Sequence, residues 1–429
     1  MKEIGVGLLG FGTVGAGVVE CLQNNGDVIA ERLGARLVLR KIADVDLVKD
    51  RGVKVPAGVL IKDAAAVIAD PQVQVVVELI GGTGVARKFV TMALEAGKSV
   101  VTANKALLAK HGAELFKIAE EHNADIHFGA SVGGGIPIIR TLRSGLIANH
   151  VNSMYGILNG TCNYILTRME QEKLPFDKAL AEAQAAGYAE ANPSLDIDGH
   201  DTAHKATILA SMAYGPVSLD HVYVEGIGSL TDVDIQYALD FGYRIKLLAV
   251  IKNIDGKVEV RVHPTMVPLG HMLASVNGVF NAVMVDCDFA GRTLYYGRGA
   301  GRAPTASTVL SDIADVAKNL LVKAPRRFPV LQYTLKPPVM RPMGEITSRY
   351  YLRLALKNQA GVLAKITALL GEQDISIASV LQKEIGTGAH VPVVILTHKA
   401  SEAACNTALQ KIDALDVVGA KTIKLRIED

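Results

Sequence analysis

The sequence predicts an α/β protein that opens on a doubly wound parallel sheet, continues through an α+β region and closes on a β-α-β-β-α-β unit. Three observations carry this. Strand-like and helix-like patterns alternate through the first third of the chain, which implies parallel strands joined by right-handed crossovers. Five of the 15 prolines, Pro325, Pro329, Pro337, Pro338 and Pro342, crowd into one short stretch that reads as a linker. Beyond it the patterns run strand, turn, helix, strand, strand, helix, strand. At 429 residues the chain exceeds what one hydrophobic core holds, so two or three domains are expected.

Composition narrows the function classes. Forty-five basic side chains against 43 acidic ones leave a formal charge of +2, with no basic run or interleaved aromatics to meet a phosphate backbone, so nucleic acid is not an expected partner. The four cysteines, Cys21, Cys162, Cys287 and Cys405, have neither metal-ligand spacing nor a disulfide pattern. No apolar run reaches the roughly 20 residues of a membrane helix, and the N-terminus does not read as a secretory signal. A cytoplasmic protein with no membrane partner is expected.

Along the chain, "IGVGLLG" is a short apolar run ending in glycine, and "TVGAGVVECLQNN" follows at helical spacing. At their junction "GFGTVG" sets Gly10, Gly12 and Gly15 in the G-x-G-x-x-G pattern, with Phe11, Thr13 and Val14 between them. The first glycine permits a tight turn, the second lets backbone approach a pyrophosphate, and the third lets helix and strand pack closely. The helix N-terminus adds N–H donors and a positive dipole. This position makes a dinucleotide site the expectation, with a bare glycine turn as the plainer alternative. The second strand, "ARLVLRKIAD", ends at Asp44, with Asp46 following, where a carboxylate could read the adenosine ribose and repel a 2′-phosphate. Arg40, Lys41, Lys49 and Arg51 flank it and could instead fold over a phosphate. NAD and NADP both stay open, with a lean to NAD on charge alone. "VQVVVELI", "GVARKFVTMALEAG" and "KSVVTAN" read as strand, helix and strand. Lys105 then opens a helix, where the dipole disfavours a cation. It is either a surface lysine or a functional one. "HFGASVGGGIPIIRTL" carries the glycines Gly133 to Gly135, which mark either a hinge or a run of carbonyls for a hard cation.

The densest chemistry lies in "GYAEANPSLDIDGHDTAHKA", residues 187–206, with Glu190, Asp196, Asp198, Asp201 and Lys205. Asp201 and Lys205, four apart on a helix, read most modestly as a surface salt bridge worth about 0.3–0.5 kcal/mol. A metal site is opposed by the lysine and by His200 and His204 having no third ligand on the segment. A pocket for an amino acid needs carboxylates for the ammonium and a cation near the reacting oxygen. The segment supplies both.

Taken in order, "GFGTVG", "VVELIGG", "VTANKALLA", "GGGIPIIR", "GILNGTCNYILT", the acidic segment, "FGYRIKLLA" and "GRGAGRAPTAS" resemble homoserine dehydrogenases of the long bacterial form with a C-terminal ACT domain. The resemblance runs from about residue 4 to the C-terminus. It implies a Rossmann-type nucleotide-binding domain over 1–130, joined by a returning helix at 305–323. A substrate-binding and dimerisation domain over 131–304, a linker over 325–347 and a ferredoxin-like ACT domain over 348–429 would follow. It implies reversible NAD(P)-dependent interconversion of L-aspartate 4-semialdehyde and L-homoserine. Lys205 would be the proton donor and acceptor, Lys105 its partner beside the nicotinamide, and Gly301 a neighbour of that ring. Glu190, Asp196 and Asp201, with Gly160 and Thr161, would hold the substrate. Two close lysines could also depress each other's pKa.

Two further expectations follow from the resemblance. The family pattern has a glutamate where this chain has Gly129, and that carboxylate helps hold a structural Na+ or K+ with the carbonyls of the glycine run. Only the carbonyls of Val132, Gly134 and Ile136 carry over, which leaves the cation open. The segment "KNQAGVLAKI" resembles the first loop and helix of ACT domains, placing Asn358, Gly361 and Leu363 beside an amino-acid effector, L-threonine by pathway logic, in a homodimer or homotetramer. A dimerisation module without effector is the plainer alternative. A non-catalytic sensor that keeps the fold is the competing function, and retention of both lysines with the acidic segment argues for the enzyme.

Overall fold

The structure is a computed structural model and describes residues 1–324, 336–383 and 389–428. Pro325 and Pro329 lie outside the described residues. The chain forms two compact units, one comprising Met1–Gly160, Asp201–Val222 and Phe280–Pro338, the other Thr161–His200, Tyr223–Val279 and Val339–Asp429. This division differs from the three-domain expectation. Residues on both sides of position 130 share the first unit, and the C-terminal region shares the second with two central segments.

The first unit is built on six parallel strands, β1 (Lys2–Leu9), β2 (Ala35–Ala43), β3 (Leu60–Ile61), β4 (Val75–Glu78), β5 (Ser99–Thr102) and β6 (Ile126–His127), in the order β3-β2-β1-β4-β5-β6. That order is the doubly wound one, with its crevice at the C-terminal ends of β1 and β4. Helices α1 (Thr13–Leu33), α2 (Ala64–Ala69), α3 (Val85–Glu95) and α4 (Lys105–Glu121) alternate with the strands. The central strand is buried from Ile4 to Leu9, as a sheet covered on both faces requires. The helix Arg302–Leu321 returns to this region: Ala306, Val309, Leu310, Ile313, Val316 and Ala317 share one core with Ile4, Val6, Ala16 and Val18. It begins three residues earlier than the expected 305. The same unit carries an antiparallel trio, Phe280–Cys287 between Val151–Ile157 and Gly291–Arg298.

In the second unit, Tyr243–Ile254 and Lys257–Pro268 form a long hairpin. Its loop is Asp255-Gly256 with φ of 52° and 81°, the left-handed pair that a two-residue hairpin demands. The C-terminal strands lie in the order Ile423–Ile427, Thr347–Lys357, His390–Thr397, Ile377–Gln382, all antiparallel neighbours, with helices Val362–Gly371 and Glu402–Asp413. This is the expected ferredoxin-like arrangement. Ile423–Ile427 also pairs in parallel with Lys257–Pro268, so the C-terminal sheet extends beyond its own four strands. The later part of the linker is tied down as well. Val339–Met340 pairs with Lys257–Val258, and the Arg341 guanidinium reaches Glu259 at 2.9 Å.

Candidate active site

The "GFGTVG" turn joins β1 to α1, and Gly12 is the residue before the helix. Gly10 adopts φ +96°, and a Cβ there would lie 2.6 Å from the Leu79 carbonyl oxygen, so only glycine makes this turn. A Cβ on Gly15 would stand 2.4 Å from the Gly10 carbonyl oxygen, whereas one on Gly12 would meet nothing. The backbone at Gly12 is thus open to a ligand. A cavity of about 440 Å³ lies over it, lined by Phe11, Gly12, Thr13, Asp44, Asp46, Lys49, Asp50, Arg51 and Arg302. Val14 and Gly15 instead turn towards the core as the helix begins. Gly301, with φ +116°, is the residue before the returning helix.

Asp44 is not a free ribose reader. Its Oδ2 accepts from the Phe11 N–H at 2.6 Å, and its Oδ1 accepts from the Asp46 N–H at 2.9 Å and from Arg51 at 3.0 Å. Arg51 also donates to the Phe11, Lys49 and Asp46 carbonyls and lies 5.0 Å from the centre of the Phe11 ring. A carboxylate and a guanidinium, both largely buried, therefore sit together at the position where charge alone had favoured NAD. A nicotinamide dinucleotide fits this turn and cavity.

At the neighbouring strand ends, Glu78 is fully buried and accepts from the N–H groups of Ile80 and Gly81 and from the Thr102 hydroxyl at 2.6 Å. The Asn104 side chain donates to the Gly82 carbonyl and accepts from the Leu107 N–H, capping α4. These contacts fix the start of α4, where Lys105 stands. The signal for them, "VVELIGG" and "VTANK", is present in the sequence, but the role of Glu78 depends on contacts that the sequence does not display.

Lys105 and Lys205 converge on Asp201. Lys105 Nζ lies 3.0 Å from Asp201 Oδ1, and Lys205 Nζ lies 2.6 Å from Oδ2. Lys205 also donates to the Leu158 carbonyl at 2.6 Å, and the Asn159 amide donates to Asp201 at 2.9 Å. Burial would push the Asp201 carboxyl up, but the two ammonium groups, with hydrogen bonds from Lys205 and Asn159, offset it and hold the group well below the usual carboxylate range. Two expectations are corrected here. The Asp201–Lys205 pair is not a surface bridge: the helix His200–Tyr214 is buried continuously from Asp201 to Met212, and these two side chains are 4% and 9% exposed. The lysines do not simply repel each other, because a carboxylate stands between them. Asp201 is their counter-ion, and its oxygens are already engaged.

Of the other expected substrate residues, Gly160 directly follows Leu158 and Asn159, the partners of Lys205 and Asp201. Gly160 opens the helix Gly160–Gln171, and the Thr161 hydroxyl donates to the Tyr188 carbonyl at 2.6 Å. Glu190 is exposed, and Asp196 is half-buried, its carbonyl accepting from Cys162. In the C-terminal region Asn358, Gly361 and Leu363 are all exposed, and Gly361, φ +84°, precedes the helix Val362–Gly371.

The glycine run lacks the side-chain carboxylate of a cation site, and its carbonyls are partly engaged. Position 129 has no carboxylate. The Gly134 carbonyl accepts from the Thr308 hydroxyl at 2.7 Å, and the Ile136 carbonyl accepts from the Ile138 N–H at 2.8 Å. Two of the three carbonyls, those of Val132, Gly134 and Ile136, thus already serve donors of the protein.

Comparison with known proteins agrees with this geometry. Three family models match: homoserine dehydrogenase NAD-binding domain over residues 10–129, homoserine dehydrogenase over 137–314, and ACT domain over 350–416. The chain is 44% identical to a homoserine dehydrogenase of Neisseria gonorrhoeae, with 100% of this chain and 99% of the relative covered. The crystal structure of a homoserine dehydrogenase from Thiobacillus denitrificans superposes with a TM-score of 0.94 at 44% identity, covering 100% of this chain and 99% of that one. A hyperthermophilic archaeal homoserine dehydrogenase in complex with NADPH matches 76% of this chain and 99% of its own, with a TM-score of 0.63 and 28% identity. With full-length identity at this level and all three family models in order, the chain belongs to the homoserine dehydrogenase family.

Proposed function

We propose that this oxidoreductase interconverts L-aspartate 4-semialdehyde and L-homoserine with Lys205 as the proton donor and acceptor. The observation that carries the reading is the Lys105–Asp201–Lys205 cluster, in which Asp201 and Lys205 are buried and Lys105 is partly exposed. A nicotinamide held at the glycine turn would supply or accept the hydride. In the reductive direction charge develops on the aldehyde oxygen, and the Lys205 ammonium stabilises it and then transfers its proton to give the hydroxyl. In the oxidative direction the same amine takes the hydroxyl proton. Asp201 positions the two lysines and keeps both ammonium groups in place at low electrostatic cost. Lys105 adds positive charge beside the same carboxylate. The resemblance assigns the ammonium and hydroxyl groups of the substrate to Glu190, Asp196 and Asp201, with Gly160 and Thr161 lining the same pocket.

NADP is the preferred cofactor, with NAD accepted. Arg51 neutralises the Asp44 carboxylate that would repel a 2′-phosphate, and Lys49 lines the same cavity. The NADPH complex of the archaeal relative supports this choice. The enzyme works in a reducing cytoplasm as a homodimer or homotetramer, with L-threonine as effector at the turn of Asn358, Gly361 and Leu363. Lys205→Ala should lower kcat for homoserine oxidation about 10²–10⁴-fold while leaving the Kd for NADPH unchanged. A near-normal kcat in that variant removes Lys205 from the chemistry.

A further inference from the structure

The stretch from Gly129 to Ile136 is held from one side by a single face of the returning helix. Thr308 and Asp312 stand four residues apart on the helix Arg302–Leu321, so both side chains project from the same face. Asp312 Oδ2 accepts from the Gly129 N–H at 2.7 Å, and the Thr308 hydroxyl donates to the Gly134 carbonyl at 2.7 Å. One residue thus anchors the start of the stretch and the other its middle. Within it, the Ile136 N–H donates to the Gly133 carbonyl at 2.7 Å and the Gly135 N–H to the Arg298 carbonyl at 3.0 Å.

The same two residues occupy the room that a side chain at position 129 would need. A Cβ there would lie 2.9 and 3.1 Å from the Asp312 oxygens and 3.1 Å from the Thr308 methyl. Those neighbours cannot easily retreat, since Asp312 is 6% exposed and its helix is packed into the nucleotide-domain core. Glycine at 129 and the Thr308–Asp312 pair therefore form one arrangement. A side chain at 129 would start in tight contact with the carboxylate that now binds its backbone.

We propose that Thr308 and Asp312 replace the structural monovalent cation in this chain, so that its stability and its rate do not depend on Na+ or K+. The side chains supply directly what a cation supplies by gathering carbonyls: a fixed loop at the exit from the nucleotide-binding region. The test compares homoserine oxidation and the thermal unfolding midpoint of the full-length protein in choline chloride, NaCl and KCl at equal ionic strength. The expected result is the same rate and midpoint in all three. A saturable rise of either with Na+ or K+ over choline overturns the proposal. Thr308→Val removes the hydroxyl at nearly constant volume and should lower the midpoint in choline by about 2–4 °C. Thr308→Ser keeps the donor and should hold the wild-type indifference to salt. A midpoint for Thr308→Val equal to wild type in choline also overturns the proposal, because the hydroxyl would then hold nothing.

Discussion

Asp44 and Arg51 illustrate how a single side chain changes meaning with its neighbours. A carboxylate at the end of the second strand of a doubly wound sheet ordinarily binds ribose hydroxyls and repels a 2′-phosphate. Here its oxygens are spent on the Phe11 and Asp46 N–H groups and on Arg51. The pair presents little net charge to a ligand, and Lys49 and Arg302 stand in the same cavity as cations that a phosphate could meet, beside Asp46 and Asp50. Arg51→Ala should therefore reduce kcat/KM for NADP about tenfold more than for NAD, the worth of roughly 1.4 kcal/mol of phosphate contact. An equal loss with both cofactors would mean that Arg51 only props the Phe11 turn. Asp201 shows the converse case. Its two ammonium partners hold it ionised despite burial, so its charge persists well below the usual carboxylate range.

At the level of elements, the strand Ile423–Ile427 joins the ACT sheet to the hairpin strand Lys257–Pro268, and buried charges weld the seam. Arg426 is fully buried. It meets Glu402 at 2.6 Å and Glu225 at 2.8 Å. Burial would raise the Glu402 carboxyl, but the hydrogen bond and charge of Arg426, with Lys424, bring it to about 2 from its ordinary 4.5. A carboxylate with a depressed folded pKa stabilises above its unfolded value and loses that contribution as pH falls towards the folded one. Arg426→Met should cost roughly 3–5 kcal/mol at neutral pH by leaving Glu402 and Glu225 without their shared cation. In chemical denaturation the difference from wild type should be full above pH 4.5 and shrink as the pH approaches 2. A difference that stays constant with pH would mean that packing, not charge, holds the seam.

For the whole molecule, the C-terminal region and two central segments form one compact unit. An effector bound at the proposed turn of Asn358, Gly361 and Leu363 would act on a sheet continuous with the hairpin Tyr243–Ile254 and Lys257–Pro268. L-threonine should slow homoserine oxidation saturably and raise the unfolding midpoint, because a ligand that binds only the folded form stabilises it. Asn358→Ala should weaken that inhibition about tenfold while leaving the basal rate intact. Inhibition unchanged in Asn358→Ala would move the effector to another surface.

The amino-acid sequence alone displays the alternation of strands and helices, the glycine turn at its first junction, the ferredoxin-like close and the two lysines worth attention. These are local signals: periodicity, turn chemistry and short motifs act over a few residues. It missed β3 and β6, whose two residues each are too few to show a period. It did not reveal that Arg51 closes on Asp44, that Thr308 and Asp312 take the space of a side chain at 129, or that Asp201 stands between Lys105 and Lys205. Packing in three dimensions settles these, for one physical reason. An i,i+4 acid–base pair looks the same in sequence whether its helix faces water or is enclosed on every side. Enclosure removes the solvent that would screen the charges, and it made Asp201 a fixed counter-ion rather than a surface decoration.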